Sequence, residues 1–246
     1  SFVPTGLGYL LFSLPCWFLI KETPSGKALS LKLLKEGYIQ IFRTFRERSR
    51  HINLFHFLIA RFLYVDAINT LLVFMAIYLT EVIGFDDSKV RVLLLTSTAS
   101  AILGSFVYGR LTDYIGPKNT LFIILTQWVV VFVGLAATSS QSFIWVIGFL
   151  AGTALGGTWT ADRTLLTRLA PHDQIGEFFG LYQLAGKFAA VIGPLIWALT
   201  VESLADLGNT RFRIAILVLL VNVILGGLVL ALIKQPDYQS RKSSQH

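Results

Sequence analysis

The sequence predicts an all-α polytopic membrane protein, a helical bundle with seven transmembrane helices. Only 14% of the 246 residues are charged, whereas about 25% is typical of a soluble domain. The uncharged residues are also contiguous, over residues 2–20, 119–161 and 214–233. A helix needs about 20 apolar residues to cross a bilayer, so the first and last stretches can each span it and the middle one can span it twice.

Seven spans follow from this pattern. A polar turn at residues 139–142 divides the long middle stretch into two helices. Two further apolar stretches precede it, and another follows it. The predicted spans are residues 2–20, 54–80, 90–109, 119–138, 143–162, 176–201 and 213–233.

Lysine and arginine residues concentrate in alternate connections. Most of the 21 basic residues fall after the first span, between the third and fourth, between the fifth and sixth, or after the seventh. Because basic loops remain in the cytoplasm, the N-terminus is predicted outside and the C-terminus inside. The net charge of +7 therefore reflects topology, and no nucleic-acid partner is expected.

The longest basic connection follows the first span. Apolar residues recur at helical spacing between residues 31 and 50, with charged residues mostly on the other side. This pattern predicts an amphipathic helix on the cytoplasmic leaflet, with a soluble linker helix as the alternative. The predicted organisation is a first helix at residues 1–21, a basic linker at 22–52, a six-helix bundle at 53–234 and a cytoplasmic tail at 235–246.

Three charged residues lie well inside predicted spans, away from their ends. Asp66 lies near the middle of the second span with Asn69 about one turn on, Lys187 lies near the middle of the sixth, and Arg61 lies nearer the inner end of the second. A charge at this depth costs at least ~2.5–3.5 kcal/mol, so it should face the bundle interior or a watery cavity. Asp66 and Lys187 can neutralise each other, or one can bind a substrate or carry a proton. A structural ion-pair network is the alternative, and Arg61 can also reach cytoplasmic headgroups.

The sequence offers no enzyme-like site. The four histidines lack the spacing of zinc ligands, and no glycine-rich phosphate loop ends in Lys-Ser or Lys-Thr. We therefore expect no catalytic residue, no metal, no cofactor and no ATP-driven activity.

The connection between the third and fourth spans reads GRLTDYIGPKNTL from Gly109. It resembles the signature cytoplasmic loop of the major facilitator superfamily, G-x-L-x-D-x-x-G-x-[RK]-x-x-L, at every anchor position. Gly109 and Gly116 are expected to permit close approach and a tight turn. Asp113 is expected to accept hydrogen bonds at a neighbouring helix N-terminus, and Lys118 to fix orientation at the interface. The resemblance implies a loop that latches two halves of a transporter; a generic charged hairpin is the alternative.

A second stretch, residues 156–194, resembles the vacuole-effluxer-like branch of that superfamily, which includes autophagy-related amino-acid effluxers. Family members usually carry small polar residues and Gln-Ala before the arginine of this stretch. Here the residues before Arg163 are Trp159, Thr160, Ala161 and Asp162. If this segment lines the substrate route, its departure from the family pattern implies a different substrate preference.

Further candidate residues follow from this stretch. Trp159 and Gln183 are candidates for substrate contact, together with Arg61, Asp66, Asn69 and Lys187. Asp162 and Arg163, at the predicted inner end of the fifth span, are candidates for a gate, a latch or a substrate contact. Gly193 and Pro194 are predicted to bend the sixth span, as a hinge or for packing alone. The glycines at 148, 152 and 156 are expected to serve close helix packing.

The resemblance implies that residues 1–21 are the last helix of an N-terminal half and that 53–234 form the six-helix C-terminal half of a major facilitator fold. It further implies a secondary active transporter of a small solute, such as an amino acid for efflux, working by alternating access. The expected partners are the lipid bilayer, the solute, protons and a missing N-terminal half of the same polypeptide. A non-transporting sensor or scaffold and a half-size protein acting as a dimer are the alternatives. The expected location is the plasma or bacterial inner membrane, with the vacuolar membrane as the alternative.

Overall fold

The computed structural model describes residues 2–19, 51–171 and 174–234. Within these ranges the chain forms seven α-helices and one 3₁₀ turn, Ala205–Leu207. The helices are α1 (Phe2–Leu19), α2 (Ile52–Glu81), α3 (Asp87–Ile115), α4 (Pro117–Ala137), α5 (Gln141–Leu169), α6 (Ile175–Ser203) and α7 (Thr210–Ala231). Six of them, α2 to α7, are long and apolar enough to cross a membrane. The prediction of an all-α membrane bundle is confirmed.

Several helices extend well beyond the predicted apolar stretches. α3 begins at Asp87, because the carboxylate of Asp86 accepts the backbone N–H of Lys89 and caps the helix. The hydroxyl of Ser88 and this N–H hold the pKa of Asp86 below its ordinary value, which keeps the cap charged. α5 has 29 residues and is therefore about 43 Å long, which exceeds the ~30 Å of hydrocarbon. Hydropathy marks only the part of such a helix that lies in lipid, and the polar ends continue as helix.

The first helix is described by itself. α1 is a shorter apolar helix of 18 residues with Pro15 inside it. Its large apolar side chains are exposed, Trp17 and Phe18 by more than 80%. The predicted linker up to residue 50 and the predicted tail at 235–246 lie outside the described residues.

The six remaining helices form two repeats of three. α2 packs mainly against α6 and α7, and α5 packs mainly against α3 and α4, while α4 also packs against α7. Exchanging α2, α3 and α4 for α5, α6 and α7 reproduces the same set of pairs. This is the contact pattern of two three-helix repeats related by a pseudo-twofold axis. Because each repeat has three spans, the two repeats enter the membrane from opposite sides.

Glycines set the closest helix contacts. A Cβ at Gly152 of α5 would overlap the backbone carbonyl of Ser97 on α3, and a Cβ at Gly156 would overlap that of Ala101. The symmetry-related contact, between α6 and α2, depends on Gly193, where a Cβ would lie 2.7 Å from the carboxylate of Asp66. Small residues let helix backbones approach closely in membranes, where lipid removes the ordinary hydrophobic drive for helix association.

Lys118 connects the start of α4 to the end of α7. Its ammonium donates to the carbonyl oxygen of Ala231 at 3.1 Å and to that of Ile233 at 2.6 Å. The last carbonyls of a helix have no intrahelical partner, so a cation placed there satisfies them and also favours the negative end of the helix dipole.

Arg213 makes the matching connection at the opposite end. This residue of the first turn of α7 donates to the carbonyl oxygen of Ala136 at 2.9 Å and to that of Thr138 at 3.1 Å, at the end of α4. A third hydrogen bond reaches the hydroxyl of Ser139. α4 and α7 are antiparallel neighbours, and each therefore caps the C-terminal end of the other.

Candidate functional site

A cavity opens inside the bundle between α2, α5 and α6. Its volume is about 350 Å³, which is within the range of small-molecule sites. Five of the six residues predicted for substrate or coupling line it, as do both residues predicted for a gate or latch. They are Arg61, Asn69, Trp159, Gln183 and Lys187, together with Asp162 and Arg163. The sixth predicted residue, Asp66, does not line the cavity.

A buried ion pair joins α2 to α5 at the wall of this cavity. Nε of Arg61 lies 3.3 Å from Oδ2 of Asp162, and the two side chains are 9% and 2% exposed. Tyr64 lies one turn after Arg61 and donates its hydroxyl to Oδ1 of the same carboxylate. α2 and α5 make few other contacts. The ion pair is therefore a principal contact between α2 and α5.

The guanidinium of Arg61 also binds α6. Nη1 donates to the carbonyl oxygen of Tyr182 at 3.0 Å, and the guanidinium carbon lies 3.5 Å from the centroid of the Tyr182 ring. Gly186 leaves room for this arrangement, since a Cβ there would lie 3.0 Å from Nη1. The prediction that Arg61 reaches cytoplasmic headgroups is wrong, because its side chain points inward to Asp162 and to the ring face of Tyr182.

α5 continues beyond the predicted inner end of the fifth span. The predicted span ends at 162, whereas α5 continues to Leu169, so Asp162 is seven residues from the helix end. It is 1% exposed. That Asp162 lies at the inner end of the membrane span stays a prediction, since the polar end of α5 can continue as helix beyond the lipid. Its neighbour Arg163 is exposed and lines the cavity.

Asp66 occupies a separate position between α2, α6 and α7. Its Oδ2 accepts a hydrogen bond from Asn222 of α7 at 3.1 Å. Its Oδ1 faces the backbone of Gly193 on α6 without a hydrogen bond of ordinary geometry. Asp66 is 1% exposed. The structure does not pair it with Lys187, so the neutralisation of one by the other is not found.

Lys187 is exposed on the cavity side of α6. It is the 13th of the 29 residues of this helix, which places it near the middle of the span. Among the described residues it has no hydrogen bond and no ion-pair partner. Arg163 likewise has neither within the described part of the chain. The cavity therefore carries two cationic side chains that form no ion pair with a carboxylate among the described residues.

Sequence reasoning missed three residues of the two polar clusters. Tyr64 and Tyr182 surround the Arg61–Asp162 pair, and Asn222 binds Asp66. Asn222 could have been found, because it interrupts an otherwise apolar helix after residue 213. The two tyrosines carry no such signal, since tyrosine is common throughout membrane spans and near their ends.

The signature loop is a single residue between two helices. Gly116 has φ of 87°, a left-handed value that disfavours residues with a Cβ, and it separates α3 from α4. Its N–H donates to the carbonyl oxygen of Thr112, and its own carbonyl oxygen accepts from Thr120. Gly116 thus ends one helix and begins the next within one tight turn, as its position in the sequence predicts.

The other loop residues differ in their surroundings. Asp113 is exposed in the last turn of α3. A Cβ at Gly109 would meet its nearest neighbour, on Thr160, at 3.7 Å, which is ordinary contact. Close approach is therefore not what Gly109 provides in this conformation, and that prediction is wrong. Lys118 does not simply mark the membrane surface, because its ammonium is bound to the end of α7.

The predicted hinge lies at a tight helix contact. α6 continues as a helix through Pro194 to Ser203. The preceding residue, Gly193, contacts α2, where a Cβ would overlap the hydroxyl of Thr70. This geometry explains why the position is glycine, whereas a hinge role for Gly193 and Pro194 stays a prediction.

Two inverted three-helix repeats, a polar cavity inside the membrane and the signature loop define the class, a half of a major facilitator transporter fold. A solved structure has the same fold, the crystal structure of a bacterial homolog to the human lysosomal transporter Spinster in an inward-facing and unoccupied conformation. The TM-score is 0.59 at 16% sequence identity, over 94% of this chain and 58% of that chain. The chain belongs to the Atg22-like vacuole effluxer family, whose model matches residues 1–239. It is therefore part of a multi-pass integral membrane protein.

Curated relatives agree with this family. The chain is 27% identical over 251 residues to the uncharacterised MFS-type transporter YxiO of Bacillus subtilis, covering 100% of this chain and 55% of that protein. It is 20% identical over 244 residues to autophagy-related protein 22 of Vanderwaltozyma polyspora, covering 87% of this chain and 47% of that protein. The chain thus spans about half the length of these relatives.

Proposed function

We propose that this chain forms the second half of a secondary active transporter that moves a small solute by alternating access. In this proposal an upstream half of the same polypeptide closes the cavity, and the two halves rock about it. Arg61, Asn69, Trp159, Gln183 and Lys187 form this half's share of the solute site.

The observation that carries the proposal is a cavity with polar side chains in its wall, one of which is the unpaired Lys187. Lys187 lies mid-helix and has no partner among the described residues. A charged side chain at this depth costs ~2.5–3.5 kcal/mol on insertion scales. Such a residue is retained where it faces a solute route, so the cavity is better explained by transport than by packing.

Efflux of amino acids is the first solute class to test. The support is the family description, a vacuole effluxer, together with the autophagy-related relatives. Asp66 is a candidate for proton coupling, because it is buried and one of its oxygens lacks a hydrogen bond. The loop between α3 and α4 is the candidate latch between the halves. Asp162 and Arg163, which line the cavity, remain candidates for a gate or a second latch.

The test is counterflow in proteoliposomes that contain the full-length protein. Vesicles loaded with an unlabelled amino-acid mixture should accumulate the labelled mixture faster than protein-free vesicles. A protein that only senses or scaffolds would give no counterflow with any solute. A well-folded protein without counterflow over a broad panel of solutes would refute the proposal.

A matched pair of variants ties any flux to the cavity. Ala190→Trp places a large ring in the cavity, because Ala190 lines it. Ala198→Trp makes the same change on the same helix, at an exposed position outside the cavity. Counterflow should be lost in the first and kept in the second. Equal rates in the two variants would show that the solute takes another route.

A further inference from the structure

We propose that the cavity selects an organic anion, a carboxylate attached to an apolar body, and binds it through Lys187 and Arg163. The inference rests on the proposed function, since it names the class of solute that the same site takes. The observation that supports this inference is the excess of positive charge among the residues that line the cavity. Among the described lining residues there are three cationic side chains, Arg61, Arg163 and Lys187, and one carboxylate, Asp162.

Both oxygens of this carboxylate already have a partner. Oδ2 of Asp162 pairs with Arg61 at 3.3 Å, and Oδ1 accepts the hydroxyl of Tyr64. Arg61 is in turn fixed on the ring and backbone of Tyr182. The charges of Arg61 and Asp162 therefore compensate each other, and the pair presents no unpaired acid to a solute.

Two cations remain on facing helices. Arg163 of α5 and Lys187 of α6 line the same cavity, and both are exposed to it. Like charges that share one cavity repel each other unless an anion lies between them. A solute carboxylate supplies that anion, and it can accept hydrogen bonds from both side chains at once.

The neutral polar side chains that line the cavity do not favour the binding of an ammonium group over that of a carboxylate. The amides of Asn69 and Gln183 offer oxygens, but they also donate hydrogen bonds to a carboxylate. The hydroxyl of Thr158 is occupied, since it accepts from the indole of Trp128 and donates to the carbonyl of Ala154. This half of the site is therefore rich in donors and lacks a free carboxylate, which favours anions over cations.

The rest of the wall is apolar. Val65, Ile68, Leu155, Ala190 and the ring of Trp159 complete the lining. These side chains bury an apolar body while the charged end meets Lys187 and Arg163. The cavity of about 350 Å³ is large enough for a small organic acid of this kind.

The experiment uses four solutes with the same isobutyl body and different polar ends. They are 4-methylpentanoate (an anion), 4-methylpentanamide (neutral), leucine (a zwitterion) and isopentylamine (a cation). Binding to the full-length protein in detergent is measured by isothermal titration calorimetry, which avoids passive leakage of the acid through a bilayer. We expect the carboxylate to bind at least about tenfold more tightly than the amide, because one charge-assisted hydrogen bond typically accounts for that ratio. The amine should bind more weakly still.

Three arginine or lysine variants localise the effect. In Lys187→Gln and in Arg163→Gln the carboxylate should lose about tenfold in affinity and approach the amide. Arg91→Gln is the control, since Arg91 is exposed near the start of α3 and outside the cavity. It should keep the preference for the acid. If a cavity variant fails to fold, the four-solute series on the unmodified protein still decides the question.

Two results would overturn the inference. Equal binding of the acid and the amide, or tighter binding of the amine, would mean that the upstream half neutralises Lys187 and Arg163 with acids of its own. Amino-acid counterflow by a protein without any preference for the acid would leave the transport proposal standing and remove the anion site. Acid-selective binding without counterflow of any solute would support the anion site and refute the transport proposal.

Discussion

The ion pair between Arg61 and Asp162 makes a quantitative prediction for Asp162→Asn. The change removes the charge that compensates a guanidinium only 9% exposed. Removing one partner of a buried pair typically destabilises a protein by about 3–5 kcal/mol, because the other charge stays buried and unpaired. The lower end applies here, since an amide oxygen can still accept from Tyr64 and the guanidinium keeps its contacts to Tyr182. We expect a loss of about 3 kcal/mol.

The assay is unfolding of the full-length protein in mixed micelles by titration with SDS, followed by circular dichroism. Asp162→Asn, Arg61→Gln and the double variant form a double-mutant cycle. The double variant should be more stable than the sum of the single losses predicts, by at least about 1 kcal/mol, because it no longer buries a lone charge. Asp206→Asn, at an exposed position in the 3₁₀ turn, is the matched control and should change stability by less than about 0.5 kcal/mol.

Two outcomes would refute this reasoning. Single variants within about 0.5 kcal/mol of the unmodified protein would mean that water solvates the pair through the cavity. Strict additivity in the cycle would mean that Arg61 and Asp162 do not interact when the upstream half is present.

Other contacts make independent predictions. Gly193→Ala should lower the melting temperature, since overpacking a tight contact costs about 1–3 kcal/mol, whereas Gly109→Ala has room for its Cβ and should melt like the unmodified protein; the opposite order would contradict the contact geometry. Lys118→Met removes two hydrogen bonds to the end of α7 and should cost about 1–2 kcal/mol in the same unfolding assay, and an unchanged stability would show that these bonds contribute nothing. Lys187→Ala should reduce counterflow at least tenfold with normal expression, and wild-type rates would remove it from the solute site. Asp66→Asn should keep solute counterflow but abolish uptake driven by a proton gradient, and intact proton-driven uptake would exclude Asp66 as the coupling group.

The fold could be predicted because membranes constrain sequences strongly. Long uncharged stretches must be helices, since backbone groups have no other partner in hydrocarbon. The distribution of basic residues then fixes orientation, and the residues from Gly109 to Leu121 indicate the superfamily. The helix ends could not be predicted as well, because α5 continues past 162 in a polar segment that hydropathy does not mark.

The membership of the site was largely predictable, but its pairing was not. Polar and charged residues inside spans are few, so Arg61, Asn69 and Lys187 could be named from the sequence. Arg61 and Asp66 are five residues apart, which places them about 140° apart around α2. They must therefore face different neighbouring helices. The sequence cannot say which of the two forms an ion pair with a residue on another helix.

The actual partners depend on helix neighbours that are distant in sequence. Asp162 is 101 residues from Arg61, and Asn222 is 156 residues from Asp66. Hydropathy and spacing describe one helix at a time, so they cannot decide between Lys187 and Asn222 as the partner of Asp66. The packing of α2 against both α6 and α7 makes that decision.

The mutual capping of α4 and α7 constrains how this half can move. Lys118 links α4 and α7 at one end of the pair, and Arg213 links them at the other end. Two helices that are hydrogen-bonded to each other at both ends can tilt together, but neither can slide along the other. Any rearrangement that opens or closes the cavity should therefore leave the register of α4 against α7 unchanged.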